Sequence, residues 1–305
     1  MKRKVIKQGN GTLTMTLPKK WADQMGLTGE SELDVEESGN ELIVSGSKAK
    51  KGQAVEITLE SNNSIYIRQI IRNVYLGGHD EIYVKFFDSK SIKYINQAVD
   101  ELIGFHVIEQ SDKGCLIKNL SSVMNEEFSV LLRKVFLLNK NLLEMLCEDL
   151  KKNKLQNTEQ IRGITKNIHQ FGDYCRRTIF KRKMFDDFKA ARMYVLITRL
   201  ISIANTIEYI YEQLSAKNKL NITKSEIEFM KKTHDFYVLL YDTYYNKKIK
   251  DIPRLSTIKG ELNNKLLPNL LKKKNQENIL LLGASQIIKD TARNGGILFT
   301  LKQNI

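Results

Sequence analysis

Lys2, Arg3, Lys4, Lys7, Lys19 and Lys20 are the only charged residues before Trp21, a run suited to neutralising an anion. From Trp21 to Ser45 the sign reverses: Asp23, Glu30, Glu32, Asp34, Glu36, Glu37 and Glu41 are acidic, and no lysine or arginine occurs. Such a split fits a small unit with one end on a polyanion and the other held off it. Cations at phosphate oxygens would supply affinity with steep salt dependence. Arg3 is the side chain able to grip a base edge bidentately. Asn10, Thr12 and Thr14 add further donors and acceptors for DNA. The alternative is a basic edge strand that only discourages aggregation.

Enzyme chemistry finds little to work with. His79, His106, His169 and His234 are scattered, with no HExxH or similar pair. No glycine-rich phosphate loop follows a strand pattern, so neither a nucleotide nor any other cofactor is expected, and no catalytic residue is assigned. Cys115, Cys147 and Cys175 are odd in number and form no CxxC pair. They read as free buried thiols in a reducing compartment, not as disulfides or a zinc site. His169 and Asp173 stand four apart on one helix face, the nearest approach to a metal-ligand pair. A hard cation wants more oxygen ligands than these two supply, so they read as a polar pair on a helix surface. Arg176, Arg177, Lys181, Arg182 and Lys183 read as a solvated helix end that complements the dipole, with an acidic partner or phosphate groups as the alternative. Lys272, Lys273 and Lys274 read as a solvated turn. Tyr237, Tyr241, Tyr244 and Tyr245 form one helix stripe, for core or dimer packing.

The elements that must position these residues follow from periodicity. Lys4 to Gln8 and Thr12 to Leu17 read as strands around a Gly9-Asn10-Gly11 turn, with Leu13, Met15 and Leu17 on one face. Pro18 starts a short helix that ends at Gly26. Leu33–Val35 and Leu42–Val44 are strands joined at Gly39-Asn40. Four short strands and one helix cannot close a large core, so this unit needs a partner chain. Ser45 to Gly52 reads as a flexible basic linker. Residues 53–119 alternate strand–helix–strand–helix–strand–strand, a small α/β domain. From residue 121 to 305 long amphipathic helices follow one another, near 124–152, 158–182, 187–216, 223–245, 255–271 and 275–302, the fifth with a break at Pro268.

A chain of 305 residues with net charge +14 and 42% hydrophobic content has material for two or three domains. Its charge favours nucleic acid or an acidic membrane surface as partner. No apolar stretch follows the basic start, and none reaches the roughly 18 residues of a membrane span, so a cytoplasmic protein without membrane insertion is expected.

The pattern GNGTLTMTLPKKWADQMGLTGESELDVEESGNELIV resembles the SpoVT/AbrB swapped-hairpin domain. Leu17-Pro18, Gly26-Leu27, Gly29-Glu30 and Gly39-Asn40 stand at its characteristic places. The resemblance implies that residues 1–47 of two chains interleave into one dimeric β-barrel whose basic face lies on DNA. The whole order is similar to archaeal-type PhoU-like phosphate uptake regulators, in which such a domain precedes a PhoU-like helical region. Phe171-Gly172-Asp173-Tyr174-Cys175-Arg176-Arg177 and Arg199-Leu200-Ile201-Ser202-Ile203-Ala204-Asn205 carry that similarity. It implies three-helix bundles and a role in phosphate uptake. The family's acidic metal motif is degraded here, with Ile201, Ser202 and Asn205 at its positions, so no metal cluster is expected.

The expected fold is therefore multidomain: a swapped-hairpin β-barrel, a small α/β domain and an all-α PhoU-like bundle. The expected function is a dimeric, non-enzymatic transcription regulator of phosphate homeostasis. The alternative is an adaptor that docks its helices on a phosphate transporter or a signalling kinase and uses its first domain only to dimerise. An antitoxin is disfavoured, because some 250 residues beyond the first domain read as organised domains and not as a short toxin-wrapping tail.

Overall fold

The computed structural model describes residues 2–9, 11–38, 41–46, 54–120, 126–217, 220–246, 249–272 and 278–302. Asn10, the Gly39-Asn40 turn, most of the 45–52 linker and Lys273-Lys274 lie outside them. The chain divides into two compact units, Met1–Gln53 and Ala54–Ile305.

In the first unit, strands β1 (Val5–Gln8) and β2 (Thr12–Met15) pair antiparallel, with Val5 opposite Met15 and Lys7 opposite Leu13. Helix α1 (Lys19–Met25) follows. Pro18 takes the cap position with an extended ψ of 121°, one residue before the helical site expected for it. Gly26 closes the helix at φ 63°, a left-handed conformation that a Cβ would strain. Strands β3 (Leu33–Ser38) and β4 (Glu41–Gly46) form a second antiparallel pair. None of the unit's described side chains is buried, and Leu13 and Leu42 are 68% and 63% exposed.

The second unit begins with a four-stranded sheet. Strands β5 (Ala54–Thr58), β6 (Glu81–Lys85), β7 (Phe105–Gln110) and β8 (Gly114–Asn119) lie in the order β5-β6-β8-β7. Only β5 and β6 run parallel, and a parallel pair needs a crossover. Helix α2 (Ser64–Leu76) makes it, capped by the Asn63 side chain, which accepts from the Ile65 and Tyr66 amides at 2.9 and 3.1 Å. Helix α3 (Ser91–Val99) lies beside α2 on the same face of the sheet. Ile67, Ile71, Tyr75, Ile82, Val84, Ile95, Phe105 and Ile117 form the apolar core between sheet and helices.

The remaining helices are α4 (Glu126–Lys152), α5 (Thr158–Lys181), α6 (Asp187–Ser215), α7 (Lys224–Tyr245), α8 (Ile252–Gly260), α9 (Leu267–Leu271) and α10 (Asn278–Lys302). They share one continuous core. α6 runs through its middle, against α4, α5 and α10. Among the described helices α6 alone is long and apolar enough to cross a membrane, and half of that apolar stretch is buried by its neighbours. The break expected at Pro268 is a π-turn over Glu261–Leu266 that joins α8 to α9. A proline lacks an N–H and crowds the carbonyl four residues back, and the wider turn relieves both. The tyrosine stripe of α7 closes around Phe136, with Tyr244 stacked at 5.1 Å and Tyr245 edge-on at 5.6 Å. It is core packing. Cys115, Cys147 and Cys175 are buried free thiols.

Candidate nucleic-acid interface

The basic residues of the first unit sit on three supports. Lys2, Arg3 and Lys4 precede β1, Lys7 lies within it, and Lys19 and Lys20 open α1. All six are exposed, and among the described residues none forms an ion pair. Lys19 and Lys20 occupy a first helical turn, where the dipole disfavours cations, so helix stability does not explain their placement. Strand alternation divides the remaining candidates. Lys7 shares a face with Val5, Leu13 and Met15, whereas Thr12 and Thr14 share the opposite face with Ile6 and Gln8. The Thr14 hydroxyl donates to the Ile6 carbonyl at 3.3 Å and keeps only acceptor capacity for a ligand. Thr12 is exposed. Asp23, Glu30 and Glu32, from the acidic half, are also exposed.

Residues 6–49 match the family described as Antidote-toxin recognition MazE, bacterial antitoxin. No curated protein matches the chain. Domains of this MazE/AbrB type bind DNA and dimerise. The match lies within the first unit, where the resemblance to the SpoVT/AbrB domain was drawn, and begins after Lys2, Arg3 and Lys4; the rest of the chain is a mostly helical region.

The other expected constellations turn out to be internal. Asp173 is not on a helix surface: it is 4% exposed and held by two arginines, Arg72 from α2 and Arg176 one turn along α5. The Arg72 guanidinium also lies 3.1 Å from His169 Nδ1, and His169 Nε2 lies 2.6 Å from Asn205 Oδ1. Arginine can only donate, so Nδ1 accepts and the Nε2–H donates to Asn205. Burial, with Arg72 and Arg68 nearby, lowers the imidazole pKa despite the hydrogen bond to Asn205, and favours this neutral form. Two cations thus stand where a metal would have to sit, and no group of three or more ligating side chains occurs among the described residues.

The basic end of α5 is corrected as well. Arg176 and Arg177 are buried, not solvated. Arg177 pairs with Asp80 at 2.8 Å, donates to the Tyr75 carbonyl, and lies 4.8 and 4.9 Å from the ring centres of Tyr75 and Phe105. Lys181 joins it at Asp80. Burial alone would raise the Asp80 pKa, but hydrogen bonds from Lys181 and Asn119 and the Arg177 charge hold it below the ordinary value. Residues 173, 176, 177 and 181 share one face of α5, and that face meets α2 and the end of the sheet. Arg72 and Asp80 lie about a hundred residues away in sequence, so no local pattern signals this joint. The degraded positions on α6 have other duties. Ile201 is core, Ser202 donates to Asp290 at 3.0 Å, and Asn205 holds His169.

Proposed function

We propose that this chain is a dimeric, non-enzymatic DNA-binding transcription regulator whose first unit contacts DNA and whose helical unit receives the signal. The observation that carries the reading is the MazE-type match on a unit whose six cations are exposed and, among the described residues, unpaired. In this reading two copies interleave β1–β4 into one barrel, which covers Leu13, Met15, Val35 and Leu42. Lys2, Arg3, Lys4, Lys7, Lys19 and Lys20 bind phosphates, with Asn10, Thr12 and Thr14 beside them. The PhoU-like resemblance of the helices carries the link to phosphate supply and to a transporter or signalling protein as partner.

Gel-shift titration of the full chain on genomic fragments tests the DNA reading. Lys2/Arg3/Lys4→Ala should weaken binding at least ~100-fold at low salt. It should also flatten the log–log salt slope by about 0.9 per lost phosphate contact. No shift by the wild type at low salt, with the dimer intact, sinks the DNA reading and leaves the adaptor. Genome-wide footprinting tests the phosphate link: enrichment away from phosphate-transport promoters removes it.

The matched family's description favours a second reading, an antitoxin. Against it, the described residues of the second unit build two buried apolar cores and not an extended segment. Growth arrest by a neighbouring gene, relieved by this chain, would reverse that preference.

A further inference from the structure

The sheet of the second unit has one covered face and one open face. α2 and α3 cover the first, and α5 packs against α2 beyond them. Strand alternation puts Glu56, Tyr83, Lys85, Leu116 and Lys118 on the other face, where Glu56, Tyr83 and Lys85 are exposed, Lys118 is half-buried and Leu116 is only 9% exposed. Within β6 Val84 is buried and Tyr83 is 43% exposed; just past its end Phe86 is buried and Phe87, in a bend, is 86% exposed. Ile108, the extra residue of a bulge in β7, is exposed at 41%. An apolar group this exposed on one face marks an interaction surface.

The face has the features of one that meets itself. Phe87 stands two residues past the end of β6 with 86% of its surface exposed, and a depression of about 270 Å³ on the face is lined by Glu56, Tyr83, Lys85, Glu109 and Leu116. A two-fold interface sets each copy's projection into the other copy's depression. The rim carries both signs: Lys85 pairs with Glu56 at 2.6 Å and Lys118 with Glu81 at 2.7 Å. Balanced charge suits a second copy and not a polyanion.

The dimer proposed for the first unit selects the occupant. β4 ends at Gly46 and β5 begins at Ala54, so seven residues, 47–53, join them. Such a connection spans at most about 25 Å. Two chains dimerised through their first units therefore hold their two sheets at an effective concentration on the order of millimolar. A modest apolar contact closes under those conditions.

We propose that the open face of the β5–β8 sheet is a second dimerisation surface, occupied by the same face of a second copy. This rests on the dimer of the proposed function, and the test separates the two. A nitroxide on Thr58→Cys, at the open-face edge of β5, reports the distance between copies in the full chain, since the three native thiols are buried. The expected result is one narrow distance distribution, which Tyr83→Lys/Phe87→Asp broadens, with the dimer dissociation constant raised at least tenfold. Both positions are exposed, and an unchanged circular dichroism melt checks that the variant still folds. A broad distribution that the double variant leaves unchanged, in an intact dimer, overturns the inference and spares the first-unit dimer. A wild type that sediments as a monomer at micromolar concentration overturns both. Loss of a bound heterologous protein in the variant, with self-association unchanged, would assign the face to another partner and also overturn it.

Discussion

The first unit and the second solve the same physical problem in opposite ways. The second buries Ile67, Ile71, Tyr75, Leu196, Leu200, Ile207, Tyr211 and many others completely, and it pairs the charges it encloses. The first spends its apolar residues on surfaces: Val5, Leu13, Met15, Val35 and Leu42 are all more than half exposed. Burial of one such side chain is worth about 1.5–3 kcal/mol. A unit that leaves these and Ile6 uncovered has its stabilisation waiting on another molecule, whereas the helical unit carries its own. Breaking one should leave the other standing.

The largest effect is expected at the α2–α5 joint. Arg177→Ala removes a guanidinium that is 4% exposed, the ion pair to Asp80 and two ring contacts. Truncating one partner of a buried pair typically costs about 3–5 kcal/mol. Chemical denaturation followed by far-ultraviolet circular dichroism should show that loss. Trp21, the chain's one tryptophan, lies in the first unit, and its fluorescence transition should not move. A coincident shift of both signals would mean that the two units unfold as one.

Gly172→Ala probes the same unit more gently. A Cβ there would lie 2.7 Å from Ile201 Cδ1, where α5 packs against α6. Overpacking of this kind costs about 1–3 kcal/mol, against a gain of about 1 kcal/mol in helix propensity. A small net loss is expected in the circular dichroism transition. Double replacement with Ile201→Val should recover part of it, because the shorter side chain makes room.

Dilution tests the first unit. A fold completed by its own dimer loses about 1.4 kcal/mol for each tenfold dilution. The Trp21 transition should therefore fall with dilution, and Leu13→Lys should lower it further at every concentration. A Trp21 transition independent of concentration would mean that the first unit is stable alone, and the contrast between the units would fail.

The contrast also explains what the sequence could reveal. Period-two and period-3.6 patterns located the strands and helices to within a few residues, because the elements of the second unit bury one face and those of the first segregate apolar and polar residues in the same alternation. The six cations of the first unit were visible because they stand in one run. Asp173 and Arg177 were misread because their meaning depends on Arg72 and Asp80, about a hundred residues upstream. A charge count along one helix cannot tell a solvated arginine from one enclosed by tyrosine and aspartate. The π-turn before Pro268 was half visible: proline forecasts a disturbance, but whether the chain breaks or widens depends on how α8 and α9 pack.

The smallest expected effect is a pH dependence confined to the second unit. His169 is neutral in the fold, with its pKa lowered chiefly by burial. Below its ordinary value near 6.5 the unfolded chain takes up the proton first, so this contribution is complete above about pH 6.5 and is lost as pH falls toward the lowered value. Protonation would set an Nδ1–H against the Arg72 guanidinium, with Arg68 also near and Asp173 already paired twice. Burial pushes the Glu208 carboxyl of α6 upward, so its contribution runs the other way, and Asp80 contributes only below its ordinary value near 3.8. The readout is therefore a difference. Between pH 5 and 6.5 the circular dichroism transition of the wild type should weaken more steeply than that of His169→Gln, whose amide can still accept from Arg72 and donate to Asn205. Equal slopes would mean that the imidazole is not enclosed by this joint. A matching slope in Trp21 fluorescence would mean that the first unit feels the second unit's protonation, and the two regions would no longer be independent.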